Sequence, residues 1–111
     1  MKLCIQNGTL YVDNLFFCYV GAGNGRDALQ PGRYQVSTQY SPAHGCELPN
    51  AAGLGWVGPA IGADAPQCDL VLGRVRHGDA LLPCANHVGR LLALVETAEG
   101  RGASVELVIE P

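Results

Sequence analysis

A chain of 111 residues that is 48% hydrophobic and 15% charged is the size of one domain with its own core, and lies far from the high-charge, low-apolar balance of disordered chains. Seven basic against ten acidic residues leave a net charge of −3, so the positive field that gathers phosphates is missing and nucleic acid is not an expected partner. No run approaches the ~18 consecutive apolar residues of a membrane span and Met1-Lys2 opens no signal-peptide core, so a soluble, cytoplasmic chain is expected.

In chain order, Lys2 to Gln6 reads as a strand, and Asn7-Gly8 supplies the two positive-φ positions of a type I′ hairpin turn into Thr9 to Val12. Asp13-Asn14 makes a second turn before Leu15 to Val20, whose aromatic and β-branched content suits a strand covered on both faces. Gly21 to Gly32 is a loop. Its Gly21-Ala22-Gly23-Asn24-Gly25 run is no phosphate cradle, because Pro31-Gly32 leaves no room for the helix a cradle needs.

Tyr34 to Thr38 alternates apolar and polar as a fourth strand, and Ser41 to Pro66 is Gly-, Pro- and Ala-rich with little period. Short strands are expected at Trp56-Val57 and Ala60-Ile61, a longer one over Asp69 to Val75 and a further pairing at Leu81-Leu82. From Cys84 the period changes: Val88, Leu91, Leu92 and Val95 form one helical stripe, giving a helix from about Ala85 to Ala98 that Gly100 and Gly102 stop. Val105, Leu107 and Ile109 then alternate along a final strand.

The expected fold is a single mainly β domain spanning residues 1–111 with one C-terminal helix, either a small β-sandwich or a barrel-like sheet. Its expected core is Leu3, Ile5, Leu10, Val12, Phe17, Tyr34, Val36, Leu70, Leu72, Val88, Leu91, Leu92, Val95, Val105, Leu107 and Ile109. The aliphatic last strand offers an edge for a homodimer across a two-fold axis.

Five scattered cysteines, Cys4, Cys18, Cys46, Cys68 and Cys84, include no C-x-x-C pair, which argues against a disulfide framework and a zinc site and favours buried thiols; no metal or cofactor is expected. Asp64, Asp69 and Asp79 have no spacing that puts two on one face of an element, so they read as loop acids.

Chemistry is suggested by Ser41-Pro42-Ala43-His44-Gly45-Cys46. Its His-Gly-Cys tripeptide resembles the Ser/Thr-His-Gly-Cys motif of L,D-transpeptidases of the YkuD type, in which the cysteine attacks a peptidoglycan stem peptide. By that resemblance Cys46 is the nucleophile, with His44 or His77 as its base. Ala43 replaces the hydroxyl residue of the motif, Glu47-Leu48 replaces an apolar residue and an Arg, and no histidine lies upstream.

A second resemblance spans nearly the whole chain. The order Asn7-Gly8-Thr9-Leu10-Tyr11-Val12, Phe17-Cys18-Tyr19, Pro31-Gly32-Arg33-Tyr34, Tyr40-Ser41-Pro42 and Leu70-Val71-Leu72-Gly73 is similar to a family of uncharacterised phage and bacterial domains distantly related to those transpeptidases. That family has an Ile-His-x-Gly-Asn stretch followed by Gly-Cys-Ile. Here Ile61-Gly62 stands for the first, so the histidine position is Gly62; Asp69 falls on the cysteine and Cys68 on the glycine before it, although a one-residue shift restores Cys68.

The resemblance implies the fold and a degenerate His/Cys site at Gly62, Cys68 and Asp69. It leads to the expectation of a non-enzymatic binding domain of phage or mobile-element origin, with a protein or peptide partner and Trp56 as anchor of the 41–66 loop where that ring is exposed. The alternative is a cysteine-dependent transpeptidase or peptidase built on Cys46.

Overall fold

The structure, a computed structural model, describes residues 1–23, 29–58, 68–77, 80–83 and 85–111, with the side chains of 74–77, 80–83 and 85 left aside. Its strands are β1 (Lys2–Gln6), β2 (Thr9–Val12), β3 (Leu15–Ala22), β4 (Gly32–Ser41), β5 (Cys46–Ala51), β6 (Gly55–Gly58), β7 (Leu70–His77), β8 (Ala80–Pro83) and β9 (Val105–Ile109). One helix, α1 (Ala85–Gly100), precedes β9.

The strands form one sheet in the order β3-β2-β1-β9-β4-β5-β6-β7-β8, and an additional β3–β7 pairing closes eight of them into a barrel with β8 continuing from β7. Of the two architectures expected, the barrel is the one adopted. Closure removes the free edges that a sandwich would expose. β9 lies between β1, parallel to it, and β4, antiparallel to it. Both its edges are taken, which rules out a homodimer built by pairing the last strand.

Local sequence accounts for the turns. Asn7 (φ 51°) and Gly8 (φ 72°) adopt the left-handed pair of a type I′ turn, and Asp13 (φ 49°) and Asn14 (φ 70°) repeat it between β2 and β3. The Asp13 carboxylate also accepts the Lys2 N–H at 2.9 Å, tying the second turn to the start of β1. At the end of α1 the Ala103 N–H reaches Ala98 O and the Gly102 N–H reaches Glu99 O, a Schellman closure with Gly102 at φ 73°.

The interior of the barrel is apolar and full. Leu3, Ile5, Leu10, Val20, Val36, Pro49, Val57, Leu70, Leu72 and Leu107 line it, Leu91 of α1 enters it, and only about 10 Å³ remains free there. The helix buries Val88, Leu91, Val95 and Ala98. Twelve of the sixteen expected core residues are buried; Val12, Phe17, Tyr34 and Leu92 are half-buried instead. Phe17 lies outside the barrel, with the Arg90 guanidinium 4.9 Å from its ring centre.

Two expectations fail. β3 is not covered on both faces, because Leu15 is 73% and Phe16 59% exposed where the strand leaves the β2–β3 turn, paired with Val12 and Tyr11. The 41–66 region holds a strand that its lack of period did not predict, β5. Trp56-Val57 falls in β6 as expected, whereas Ala60-Ile61 lies outside the described residues.

Candidate functional site: a buried thiol beside an imidazole on the barrel wall

A packed interior leaves the walls as the place for chemistry. Register fixes which side chains share a face. Val36, Pro49 and Val57 point into the barrel, so on the same strands Ser41, Cys46, Leu48 and Trp56 belong to the outer face through the pairs Ser41↔Cys46, Gln39↔Leu48 and Asn50↔Trp56.

β4 ends at Ser41, and a tight turn leads to β5. The His44 and Gly45 N–H groups both donate to Ser41 O, at 3.2 and 2.8 Å, and Gly45 takes φ 69°. This turn lifts the His44 ring over the end of β4. Its Nδ1 lies 2.7 Å from Ser41 Oγ, and Ser41 is itself buried. Its Nε2 lies 3.4 Å from Cys68 Sγ. Ser41, His44 and Cys68 thus form a continuous hydroxyl–imidazole–thiol chain, in which His44 and Cys68 are 24 positions apart in sequence.

Cys68 arrives just before β7 and is 0% exposed. The Cys68-Asp69 dipeptide is wedged against backbone from two other strands. A Cβ at Gly23 would collide with Cys68 O, one at Gly55 with the Asp69 carboxylate, and one at Gly58 would sit 2.5 Å from Cys68 Sγ. Backbone bonds hold the dipeptide: Gly23 N–H donates to Asp69 O at 3.0 Å, and Asp69 N–H to Trp56 O at 2.9 Å. The Asp69 carboxylate, also buried, accepts the Trp56 N–H at 3.0 Å.

Electrostatics keep this thiol protonated. Burial, then the Asp69 carboxylate, then Cys46 push Cys68 up to about 11 from its ordinary value of 9.0. A resting Cys68 at neutral pH is therefore a neutral thiol beside an imidazole, and any attack by it needs the proton removed in the same step. The Asp69 N–H, already bonded to Trp56, is not available to a developing oxyanion.

The residues singled out in the sequence separate here. His44 is engaged on Ser41 through Nδ1 and on Cys68 through Nε2, and Cys46 is exposed at the start of β5. His77 ends β7, seven residues or roughly 23 Å of strand beyond Leu70, and its side chain lies outside the described residues. Gly62, Asp64 and Asp79 also lie outside them. Trp56 is half-buried and packs against the core cluster instead of standing free.

Ser41 was not expected in the site. Its only sequence signal is the Ser-x-x-His spacing, which in a turn brings a hydroxyl under an imidazole. Among the described residues no group of three His, Cys, Asp or Glu is placed to hold a metal ion, and no helix is long and apolar enough to cross a membrane. No protein family, no curated protein and no solved structure matches the chain.

Proposed function

We propose that the chain carries a cysteine-dependent acyl-transfer site on an L,D-transpeptidase-like scaffold, with Cys68 as nucleophile, His44 as base and Ser41 positioning the imidazole. The observation that carries this reading is the chain of contacts from Ser41 Oγ through His44 to Cys68 Sγ, at 2.7 and 3.4 Å. A histidine from the β4–β5 turn stands in for the one that the family resemblance expects at Gly62, and the thiol is the one that a one-residue shift restores.

The chemistry follows from the tautomer. With its proton on Nδ1, donated to Ser41 Oγ, His44 presents the Nε2 lone pair to the Cys68 thiol. As sulfur bonds to an amide carbonyl carbon, the thiol proton passes to Nε2. It then goes to the leaving amine when the C–N bond breaks, and the thioester is resolved by water or a second amine. The substrate class is a peptide amide, and a peptidoglycan-like stem peptide is the first to try.

Full burial of Cys68 and its raised pKa favour a second reading, a non-enzymatic binding domain in which the same contacts only pack the wall. Under it the occupant is a protein or peptide, and a phage or mobile-element origin fits the resemblance. One experiment separates the two. The purified protein is incubated with a stem tetrapeptide and a peptide thioester, and acyl adducts are mapped by mass spectrometry. Acylation of Cys68, lost in Cys68→Ala and reduced at least about 100-fold in His44→Ala, supports the enzyme. A Cys68 that stays unmodified until the protein is unfolded supports the binding domain.

A further inference from the structure

Cys46 has no part in that chemistry, yet it stands beside it. It opens β5 directly across from Ser41, and cross-strand partners project to the same face. Its sulfur therefore emerges on the side of the wall where Ser41 holds His44, and the His44 ring touches Cys68. One thiol is exposed and the other fully buried, and both belong to the stretch of wall that carries the imidazole. That a charge on Cys46 opposes ionisation of Cys68 agrees with this proximity. The intervening turn is short and hinges on Gly45 at φ 69°, with open space where a Cβ would stand.

We propose that Cys46 and Cys68 are a redox pair, joined into a reversible disulfide by hydroperoxides. The exposed Cys46 reacts first: its sulfur bonds to one peroxide oxygen, the O–O bond breaks, and Cys46 becomes a sulfenic acid as the peroxide is reduced to water or an alcohol. Cys68 then attacks the Cys46 sulfur. The S–S bond forms, the S–O bond breaks, His44 Nε2 takes the Cys68 proton and passes it to the departing hydroxide, and water leaves. The disulfide removes the thiol from His44 and locks the β4–β5 turn to the start of β7. This inference rests on the two thiols and the imidazole alone, so it stands or falls independently of acyl transfer.

The test treats fully reduced protein with hydrogen peroxide near neutral pH, alkylates all remaining thiols after unfolding, and maps the products. No Lys or Arg lies between the two cysteines, so trypsin leaves them on one peptide; cleavage after Glu47 separates them. The expected product has lost two hydrogens, joins the Cys46 and Cys68 peptides, leaves Cys4 and Cys18 alkylated, and reverts with dithiothreitol. In Cys46→Ser, Cys68 stays a free thiol under the same treatment. Conversion of Cys46 to sulfinic acid while Cys68 remains alkylated, or a disulfide joining any other pair, overturns the proposal.

Discussion

The barrel interior and the Ser41–His44–Cys68 wall are both buried, but they are built on opposite terms. The interior is assembled from aliphatic side chains of almost every strand, leaves about 10 Å³ free, and contributes stability by area removed from water. The wall buries a thiol, a hydroxyl and a carboxylate and half-buries an imidazole, and each needs a partner to offset its desolvation. The barrel thus supplies stability in excess at its centre and tolerates a costly polar cluster at its rim. That division is expected of a scaffold carrying a site, and it can be broken by mutation.

The largest effect is expected in the interior. Leu72→Ala removes a side chain that is 1% exposed in a space too tight to collapse, and should cost about 2–5 kcal/mol in urea unfolding. The thiol of Cys68 should remain in contact with His44, so at temperatures where the variant is folded the reactivity of Cys68 should match the parent. A large change in that reactivity would show that interior and wall are not separable.

Next in size is Gly58→Ala. Its methyl would press on Cys68 Sγ in a wall already closed by Leu48, so overpacking should cost about 1–3 kcal/mol. The displaced sulfur should at the same time be alkylated faster than in the parent. Equal stability and unchanged labelling would mean that the wall is looser than its packing implies.

The same contrast explains what the sequence reveals. Interior residues announce themselves by alternation, as in Leu3, Ile5 and the Val105, Leu107, Ile109 series, and the helix by its Val88, Leu91, Val95 spacing, because one repeating physical demand is written along each element. The wall has no such period. β5 is hidden by Pro49, which lacks a ladder donor; it is tolerated because β6 pairs only with Asn50 and Ala51, so Pro49 faces β4 alone. The site is hidden more deeply. Adjacency in His44-Gly45-Cys46 points the imidazole at Cys46, whereas the turn at Gly45 carries it to a thiol that joins it only through barrel closure.

A smaller effect is expected from pH. The pKa of Cys68 is higher in the folded state than in the unfolded chain, so the protonated thiol is the form that folding favours. Its contribution is complete below about pH 9, and is lost as pH rises toward about 11, the value burial gives it. Thermal melts should therefore show a shallow decline confined to that window, and Cys68→Ser, which does not ionise there, should remove it. A decline of the same size in Cys68→Ser would assign the alkaline sensitivity to other groups.

The smallest effect, and the most discriminating, belongs to Ser41. Removing its hydroxyl in Ser41→Ala deletes one bond to His44 Nδ1 and should cost only about 1 kcal/mol of stability. Packing barely changes, so a purely structural wall would register little else. If the hydroxyl fixes the tautomer and aim of the imidazole, however, the Nε2 lone pair is no longer held on Cys68. The pH profile of Cys68 alkylation should then move toward that of His44→Ala, while Ser41→Thr, which keeps the hydroxyl, should restore the parent profile. The comparison with threonine separates loss of a buried polar partner from loss of positioning, since both variants alter the volume at residue 41 but only one keeps the bond. Identical profiles for Ser41→Ala and the parent would reduce the Ser41–His44 contact to packing, and would leave His44 and Cys68 as a pair without a positioning residue.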